Sequence, residues 1–448
     1  MLLKAECQST KSGLDTLFVN GVYFHSKYDP LREAKRLAVE NSSASIVILL
    51  SPGLGYLTHA LESQRVFAIE RHQQINDLSK KSDSLVGLSS DQIFDWAYAN
   101  DELLLGKVRV ISGVSLDEDA AYYADAAKAI QRAIEKRAEE ELTCTSFEKI
   151  WVGNIQENSK RFPKANWISE LDGTLEGKTA IIFAAGPSLE NDLRQLSKYL
   201  SEENTRRNSM TIFSVDSALP AAIANQISPD FCISIDPQPV KALSLEQLDD
   251  VPLIASVLSP SAVLGSARRC FLFTQGHPDE SKYEIPAQAS RLDTGGSVAT
   301  AAVILALRWG AEKIVLLGQD LSLVSGQMHS RGVPDHLMGV ASAGRFSTVE
   351  LSWGSDAKAS HTRNVPGVGG TTVLSTPSLD SFRHTIQEIA AQNPNVEIIS
   401  TSPRGAEITN VTHVSLFDAL KVVGKLAEEI SCRENLGRIQ NPDGVVTA

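Results

Sequence analysis

From residue 178 onward the chain repeats one figure: a short apolar run, a glycine or an acid at its end, then a helix-like stretch. "KTAIIFAAGPSLE" passes from strand to turn to helix start, and "MTIFSVDSALPAAIANQI" from strand through an acid into a helix. "PDFCISIDPQP" ends on an acid, while "PLIASVLSP" and "CFLFTQG" are further short strands. Apolar runs without polar alternation are buried on both faces, which is the situation of parallel strands covered by helices. Strands that alternate with helices build right-handed, doubly wound βαβ units. The figure also occurs earlier. "IVILL" at 46–50 runs into "SPGLGYLTHAL", "RVFAIE" ends at Glu70, and "KVRVIS" follows at 107–112.

Between these regions the pattern is helical. "DEDAAYYADAAKAIQRAIEKRAEEEL" is rich in Ala, Glu, Lys and Arg, and Phe147, Ile150, Trp151, Ile155 and Asn158 continue at helical spacing. The expected fold class is therefore α/β. A smaller Rossmann-like N-terminal domain occupies 1–115, a helical connector 116–175, a central Rossmann-like domain 176–420, and a C-terminal helix and tail 421–448. The stretches "SGQMHSRGVPDHLMGVASAGRFSTVE" and "GVGGTTVLSTPSLDS" read as long loops or short hairpins. In a compact α/β domain such loops are more often functional than idle.

Ligands of open parallel sheets bind outside the carboxyl ends of the strands, so the residues there are the candidates. Gly186-Pro187-Ser188 follows "AIIFAA" and opens a helix. It can present backbone donors to a phosphate, or it is a plain strand–helix turn with a serine cap. Asp216, Asp236 and Gly318-Gln319-Asp320 each close an apolar strand, where a carboxylate can bind a sugar hydroxyl, a base edge or a metal, or cap a helix. Thr294-Gly295-Gly296-Ser297 precedes "VATAAVILALRW"; Thr294 or Ser297 caps that helix, and the glycines let a polar ligand group reach its free N–H donors. The pattern suits a nucleotide or nucleotide-sugar phosphate at the helix start, with its sugar or base near Asp320. His329, nine residues after Asp320, is a candidate general base, with His336 and His361 weaker ones, and Arg331 and Arg404 can pair with anionic groups. The earlier Gly53-x-Gly55 lacks the third glycine of the dinucleotide fingerprint, although Glu70 falls where a ribose-binding acid would sit.

Composition excludes several classes. A formal net charge of −12 argues against bulk nucleic-acid binding or an anionic membrane surface. Five scattered cysteines, none in a CxxC pair, predict a reduced chain without a disulfide framework or zinc site. No stretch has the length of a membrane span and the start has no signal-peptide pattern, so a cytoplasmic chain without membrane insertion is expected. GxxxxGK[ST], HExxH and GxSxG are all absent.

Taken together, "AGPSL", "VDSAL", "SIDPQ", "TGGSVATAA", "ALRWGAEKIVLLGQDLSL", "MHSRG" and "TSPRGAEI" resemble the motility associated factor (Maf) glycosyltransferases. "NGVYFHSKYDPLREAKRL" and "LSPGLGY" resemble that family's N-terminal region and "FEKIWVGNIQENSKRF" its helical link, so the likeness covers about residues 18–420. The central part of the family is shared with archaeal 6-hydroxymethylpterin diphosphokinases and is similar in fold to bacterial family 42 sialyltransferases. The resemblance implies transfer of a nonulosonic acid, pseudaminic or legionaminic, from a CMP-activated donor to Ser or Thr of flagellin in the cytoplasm, in support of motility. It implies that Gly186, Pro187, Ser188, Asp216 and Asp236 line the CMP site. Thr294, Gly295, Gly296 and Ser297 would meet the donor's phosphate or ribose, and Gln319 and Asp320 its sugar. His329 would take the acceptor's proton, with Asp320 as the second catalytic residue. No cofactor is obligatory, though Mg²⁺ remains open. The chain departs from the family in how little follows residue 420 and in its "STSPRGAE" motif. The alternative is a Mg²⁺-dependent pyrophosphoryl transferase of the diphosphokinase kind, with Asp216, Asp236 and Asp320 on the metal; a non-catalytic assembly factor is a third class.

Overall fold

The computed structural model describes residues 3–421 apart from 62, 80–83, 203–206, 208, 239–244, 246–247, 249, 346–347, 350–352 and 354–361. The expected C-terminal helix and tail, except Lys421, and His361 lie outside the described residues. The chain forms two compact units, Met1–Thr145 and Ser146–Ala448, and the boundary falls inside one helix, Ala120–Asn158.

The first unit opens with an antiparallel meander, β1 (Ala5–Ser9), β2 (Asp15–Val19) and β3 (Val22–Tyr23). A parallel sheet follows, made of β4 (Ile46–Leu50), β5 (Arg65–Glu70), β6 (Ser84–Val86) and β7 (Val108–Ser112) in the order β6-β5-β4-β7. All five residues of β4 are buried, because both faces are covered. Ile46, Ile48 and Leu50 pack with Ile93, Tyr123, Ala126 and Ile130, while Val47 and Leu49 face Leu57 and Leu61. Each such side chain contributes about 1.5–3 kcal/mol by leaving water.

The second unit is built on a nine-stranded, wholly parallel sheet ordered β18-β17-β14-β9-β10-β11-β12-β13-β8. Its strands are β8 (Asn166–Trp167), β9 (Thr179–Phe183), β10 (Met210–Val215), β11 (Phe231–Ser234), β12 (Leu253–Ser256) and β13 (Cys270–Phe273), then β14 (Lys313–Leu317), β17 (Glu397–Ser400) and β18 (Thr412–His413). An antiparallel hairpin, β15 (Arg363–Gly367) and β16 (Thr371–Ser375), lies outside the sheet. β8 adds an edge strand from within the stretch whose sequence reads as connector.

Side chains alternate along β9 exactly as a doubly covered strand requires. Ala180 and Ile182 pack with Ala301, Ala302 and Leu305 of the Val298–Arg308 helix and Ile386 of the Pro377–Gln392 helix. Ile181 and Phe183 pack on Leu189, Leu193 and Leu196 of the Leu189–Glu202 helix and on Ala222 of the Leu219–Ala224 helix. The result is a three-layer doubly wound sandwich. From β9 the chain runs outward through β10 to β13, then returns to the other side of β9 as β14. The strand order thus reverses between β9 and β14. That switch point is where such folds open a ligand crevice.

Candidate functional site

The carboxyl ends of three adjacent strands meet at the switch point. After β9 the backbone forms Gly186-Pro187-Ser188, and after β14 it forms Gly318-Gln319-Asp320. The Gly186 amide donates to the Gly318 carbonyl at 2.9 Å. A Cβ at Gly186 would sit inside van der Waals contact of that carbonyl and of the Asp320 carboxylate, so only glycine lets the strands close here. Gly318 makes the same concession from the other side: its φ is +70° and a Cβ would meet the Ala184 carbonyl.

Asp320 is 2 % exposed. Its Oδ2 accepts from the Ser188 amide at 2.8 Å and from the Ser188 hydroxyl at 3.0 Å. The Ser188 hydroxyl in turn lies 3.0 Å from the Ser402 hydroxyl, on the loop that follows β17. Asp320 Oδ1 has no hydrogen-bond partner among the described residues. Burial pushes the carboxyl above the usual carboxylate range, and hydrogen bonds from Ser188 and Ser402 together with the Arg404 guanidinium pull it back. The next residue, Leu321, has φ +52°, a strained conformation for a side chain of its size. Ala406 donates to the Asp320 carbonyl at 2.8 Å, and Ser375 to that of Leu321 at 2.8 Å. The strain is therefore held from two sides.

This geometry changes the reading of Gly186-Pro187-Ser188. Proline has no N–H, the Gly186 and Ser188 amides are engaged by β14, and Leu189 donates back to Gly186 at 3.1 Å. The turn is a junction that fastens Asp320, and its amides are not presented to a phosphate. Gln319 is different: only 6 % of it is exposed, and its carboxamide has no hydrogen bond among the described residues.

The loop after β14 returns across the turn, where the Ser330 amide donates to the Ala185 carbonyl at 2.8 Å. This brings His329 beside the end of β9. Its Nε2 lies 4.0 Å from Oδ2 of Asp335, in the first turn of the Pro334–Ser342 helix, and both side chains are about 40 % exposed. Arg331 reaches Glu190 at 4.0 Å. His336 turns toward Trp353, with ring centroids 6.3 Å apart.

Asp216 ends β10 and is 2 % exposed. Its two oxygens accept from the Ser217 amide at 2.7 Å and the Ser234 hydroxyl at 2.8 Å. Asp236 accepts from the Gln238 amide at 2.8 Å, closing its own turn. Among the described residues no three His, Cys, Asp or Glu side chains gather as a metal site, so Asp216, Asp236 and Asp320 do not form the set a shared Mg²⁺ needs. Asp216 has protein donors on both oxygens instead, and Asp236 closes its own turn.

Gly295 and Gly296 both have positive φ, +57° and +83°. They pack against Thr300, Thr385 and Phe382. The Ser297 amide donates to the Thr294 carbonyl at 3.2 Å, and Ser297 Oγ caps the helix by accepting from the Thr300 amide at 3.1 Å. With Thr300 satisfied, Val298 and Ala299 carry the amides that a helix start leaves without an intrahelical partner. The residues here that the sequence did not single out are Ser402, Thr401 and Asp192, whose carboxylate accepts from the Thr401 hydroxyl at 2.6 Å; Arg404, on the same loop, was legible.

The switch point, the three converging loops and the capped helix start define a doubly wound α/β protein with its candidate site at the carboxyl edge of the larger sheet. Comparison with known proteins narrows this. The Maf glycosyltransferase from Magnetospirillum magneticum AMB-1 has the same fold, with a TM-score of 0.59 at 13 % identity over 95 % of this chain and 74 % of that one. Residues 153–326 match the family described as 6-hydroxymethylpterin diphosphokinase MptE-like. The chain thus has a Maf-like fold with an MptE-like domain. In sequence it is similar to two uncharacterized proteins of Treponema pallidum (strain Nichols). One is 33 % identical over 99 residues, which is 20 % of this chain and 40 % of that protein. The other is 21 % identical over 217 residues, 42 % of this chain and 71 % of that protein. Among the described residues no helix is long and apolar enough to cross a membrane.

Proposed function

We propose that the protein is a glycosyltransferase that moves a nonulosonic acid, pseudaminic or legionaminic, from a CMP-activated donor to Ser or Thr of flagellin in the cytoplasm. The observation that carries this reading is the likeness in fold to a Maf glycosyltransferase across 95 % of the chain, both units included. The donor phosphate sits at the Ser297-capped helix start, on the Val298 and Ala299 amides and the positive end of the helix dipole. Gln319 offers its unpaired carboxamide to the donor. His329, oriented by Asp335, takes the proton of the acceptor hydroxyl as CMP departs from the anomeric carbon. The leaving phosphate gains charge in that step, and amides already aimed at it need no reorganisation.

The match of residues 153–326 to the MptE-like family favours a second reading, pyrophosphoryl transfer from ATP with Mg²⁺. The Asp216 carboxylate, held on both oxygens by Ser217 and Ser234, and the lack of a three-carboxylate cluster among the described residues speak against it.

Thermal shift separates the two: the protein is heated with CMP, with ATP plus Mg²⁺, and with S-adenosylmethionine. A ligand at 100 times its Kd adds about 2.7 kcal/mol. Stabilisation by CMP that disappears in Ser297→Trp supports the glycosyltransferase. Stabilisation by ATP plus Mg²⁺ alone would overturn it in favour of the second reading.

A further inference from the structure

Two adjacent glycines cannot set their own conformation. Gly295 and Gly296 hold φ values of +57° and +83° with no side chain to fix them, so the direction in which the turn delivers Val298 and Ala299 depends on what it leans on. It leans on the Pro377–Gln392 helix: a Cβ at Gly295 would meet the Thr385 methyl, and one at Gly296 the edge of the Phe382 ring. At about 100° per residue, Phe382 and Thr385 share one side of that helix, and Asp380 and Arg383 the opposite side.

The opposite side is fastened by charge. Asp380 is 6 % exposed and Arg383 7 %. Oδ1 of Asp380 accepts from Arg383 Nε at 2.8 Å and lies 2.6 Å from its Nη2, while Oδ2 lies 2.9 Å from Nη2 of Arg363, the first residue of β15. Both oxygens of one carboxylate are thus held by guanidinium groups, whose fork geometry fixes direction as well as distance. Arg383 Nη1 also donates to the Glu407 carbonyl at 3.3 Å. The backbone of the β15–β16 hairpin holds the same loop: Glu407 donates to Pro366 at 2.9 Å and Val368 to Gly405 at 3.1 Å. Ala406, between them, is the residue that donates to the Asp320 carbonyl. One helix therefore reaches both halves of the candidate site, the glycine turn with Phe382 and Thr385, and the loop behind Asp320 through the Asp380 carboxylate.

A buried ion triad is an odd choice if stability were all that mattered, since well-packed apolar residues often do as well. Losing one partner, however, leaves a buried charge uncompensated, so the triad tolerates little movement. An anion site on the two arginines is the poorer reading, because the buried Arg383 already faces Asp380, His384 and the Glu407 carbonyl.

We propose that Asp380 is a positioning residue: held by Arg363 and Arg383, it fixes the Pro377–Gln392 helix against the Gly295-Gly296 turn, so that the Val298 and Ala299 amides are aimed at a phosphate. This role rests on the reading that the helix start receives the donor phosphate; what it adds is the device that aims the amides.

The test compares CMP with cytidine by isothermal titration of the full chain, in wild type, Asp380→Asn, Asp380→Glu and Arg363→Met. The ratio of the two affinities isolates the phosphate. A residue with only a structural role lowers the folded fraction and leaves that ratio alone. Asp380→Asn should lower it about tenfold, the worth of one well-aimed hydrogen bond to a charged group, with cytidine affinity little changed. Arg363→Met, which leaves the buried Arg383–Asp380 pair in place, should lower it by a smaller factor, and Asp380→Glu should regain part of the loss. Should Asp380→Asn not fold, Arg363→Met decides alone. A ratio unchanged in every folded variant overturns the proposal, as does a wild type that binds cytidine as tightly as CMP. A wild type that binds neither sinks the glycosyltransferase reading itself, and the phosphate role falls with it.

Discussion

The two parallel sheets are built alike and finished differently. In the smaller one the order also reverses beside the first strand, between β4 and β7, and there too a glycine lets the strands close: a Cβ at Gly113 would meet the Ser51 carbonyl. A Gly-x-Gly turn follows β4 and an acid ends β5, so the sequence carries the outline of a nucleotide crevice. Its turn and one oxygen of the acid are already engaged, while Glu70 Oε2 has no partner among the described residues. His25 Nε2 accepts from the Leu54 amide at 2.8 Å, and a Cβ at Gly53 would run into the imidazole. Glu70 is fully buried, and the Tyr123 hydroxyl donates to it at 2.9 Å. In the larger sheet, by contrast, Gln319 and the helix start at Ser297 keep groups available. The lesson is that a glycine turn and a strand-end acid describe a fold; what fills them decides whether a ligand can.

The comparison can be broken at its shared element first. Gly186→Ala and Gly113→Ala each force a methyl into a backbone carbonyl, and each should cost about 3 kcal/mol in a urea titration. A neutral Gly113→Ala would end the parallel. His25→Ala leaves the Leu54 amide without its acceptor and should cost about 2 kcal/mol, with hydrogen exchange increased over residues 52–58. Burial lowers His25 to about 4, so its contribution is complete above pH 6.5 and is lost as pH falls through 4. Protection in 52–58 should therefore decline in acid. Ser188→Ala removes one of the donors to Asp320 and should cost about 1.5 kcal/mol, read as a lower Tm. The smallest effect belongs to Ser297→Ala, about 1 kcal/mol for a lost helix cap; if CMP affinity is unchanged in that variant, the backbone amides rather than the hydroxyl hold the phosphate.

Much of the architecture was legible because parallel strands buried on both faces leave no polar residue to blur them. "IVILL", "TAIIF" and "KIVLL" are strands over the residues where the sequence places them. Asn158, read only as part of a helical spacing, is fully buried and donates to the Val257 and Ser259 carbonyls. The two-residue strands β8 and β18 were not legible, since pairing with a neighbour defines them rather than any pattern of their own. At the site, Asp320, Ser188 and Gly186 could be named but not their partnership. An aspartate at a strand end looks the same whether it faces a ligand or a serine amide 132 residues away. Asp192 reads as an ordinary acid in the first turns of an amphipathic helix, and Thr401 as a loop residue, because the contact between them spans 209 positions.

The strand order has a consequence for how the chain emerges during synthesis. β9 can pair with β10 almost at once, but its other edge waits for β14, and Ser188 does not meet Ser402 until 214 further residues have been made. Throughout that interval a strand destined to be buried along its whole length presents an open edge to whatever is nearby. A ribosome-bound chain halted before residue 313 should thus be the most aggregation-prone form of this protein, and one that has passed residue 405 should not be.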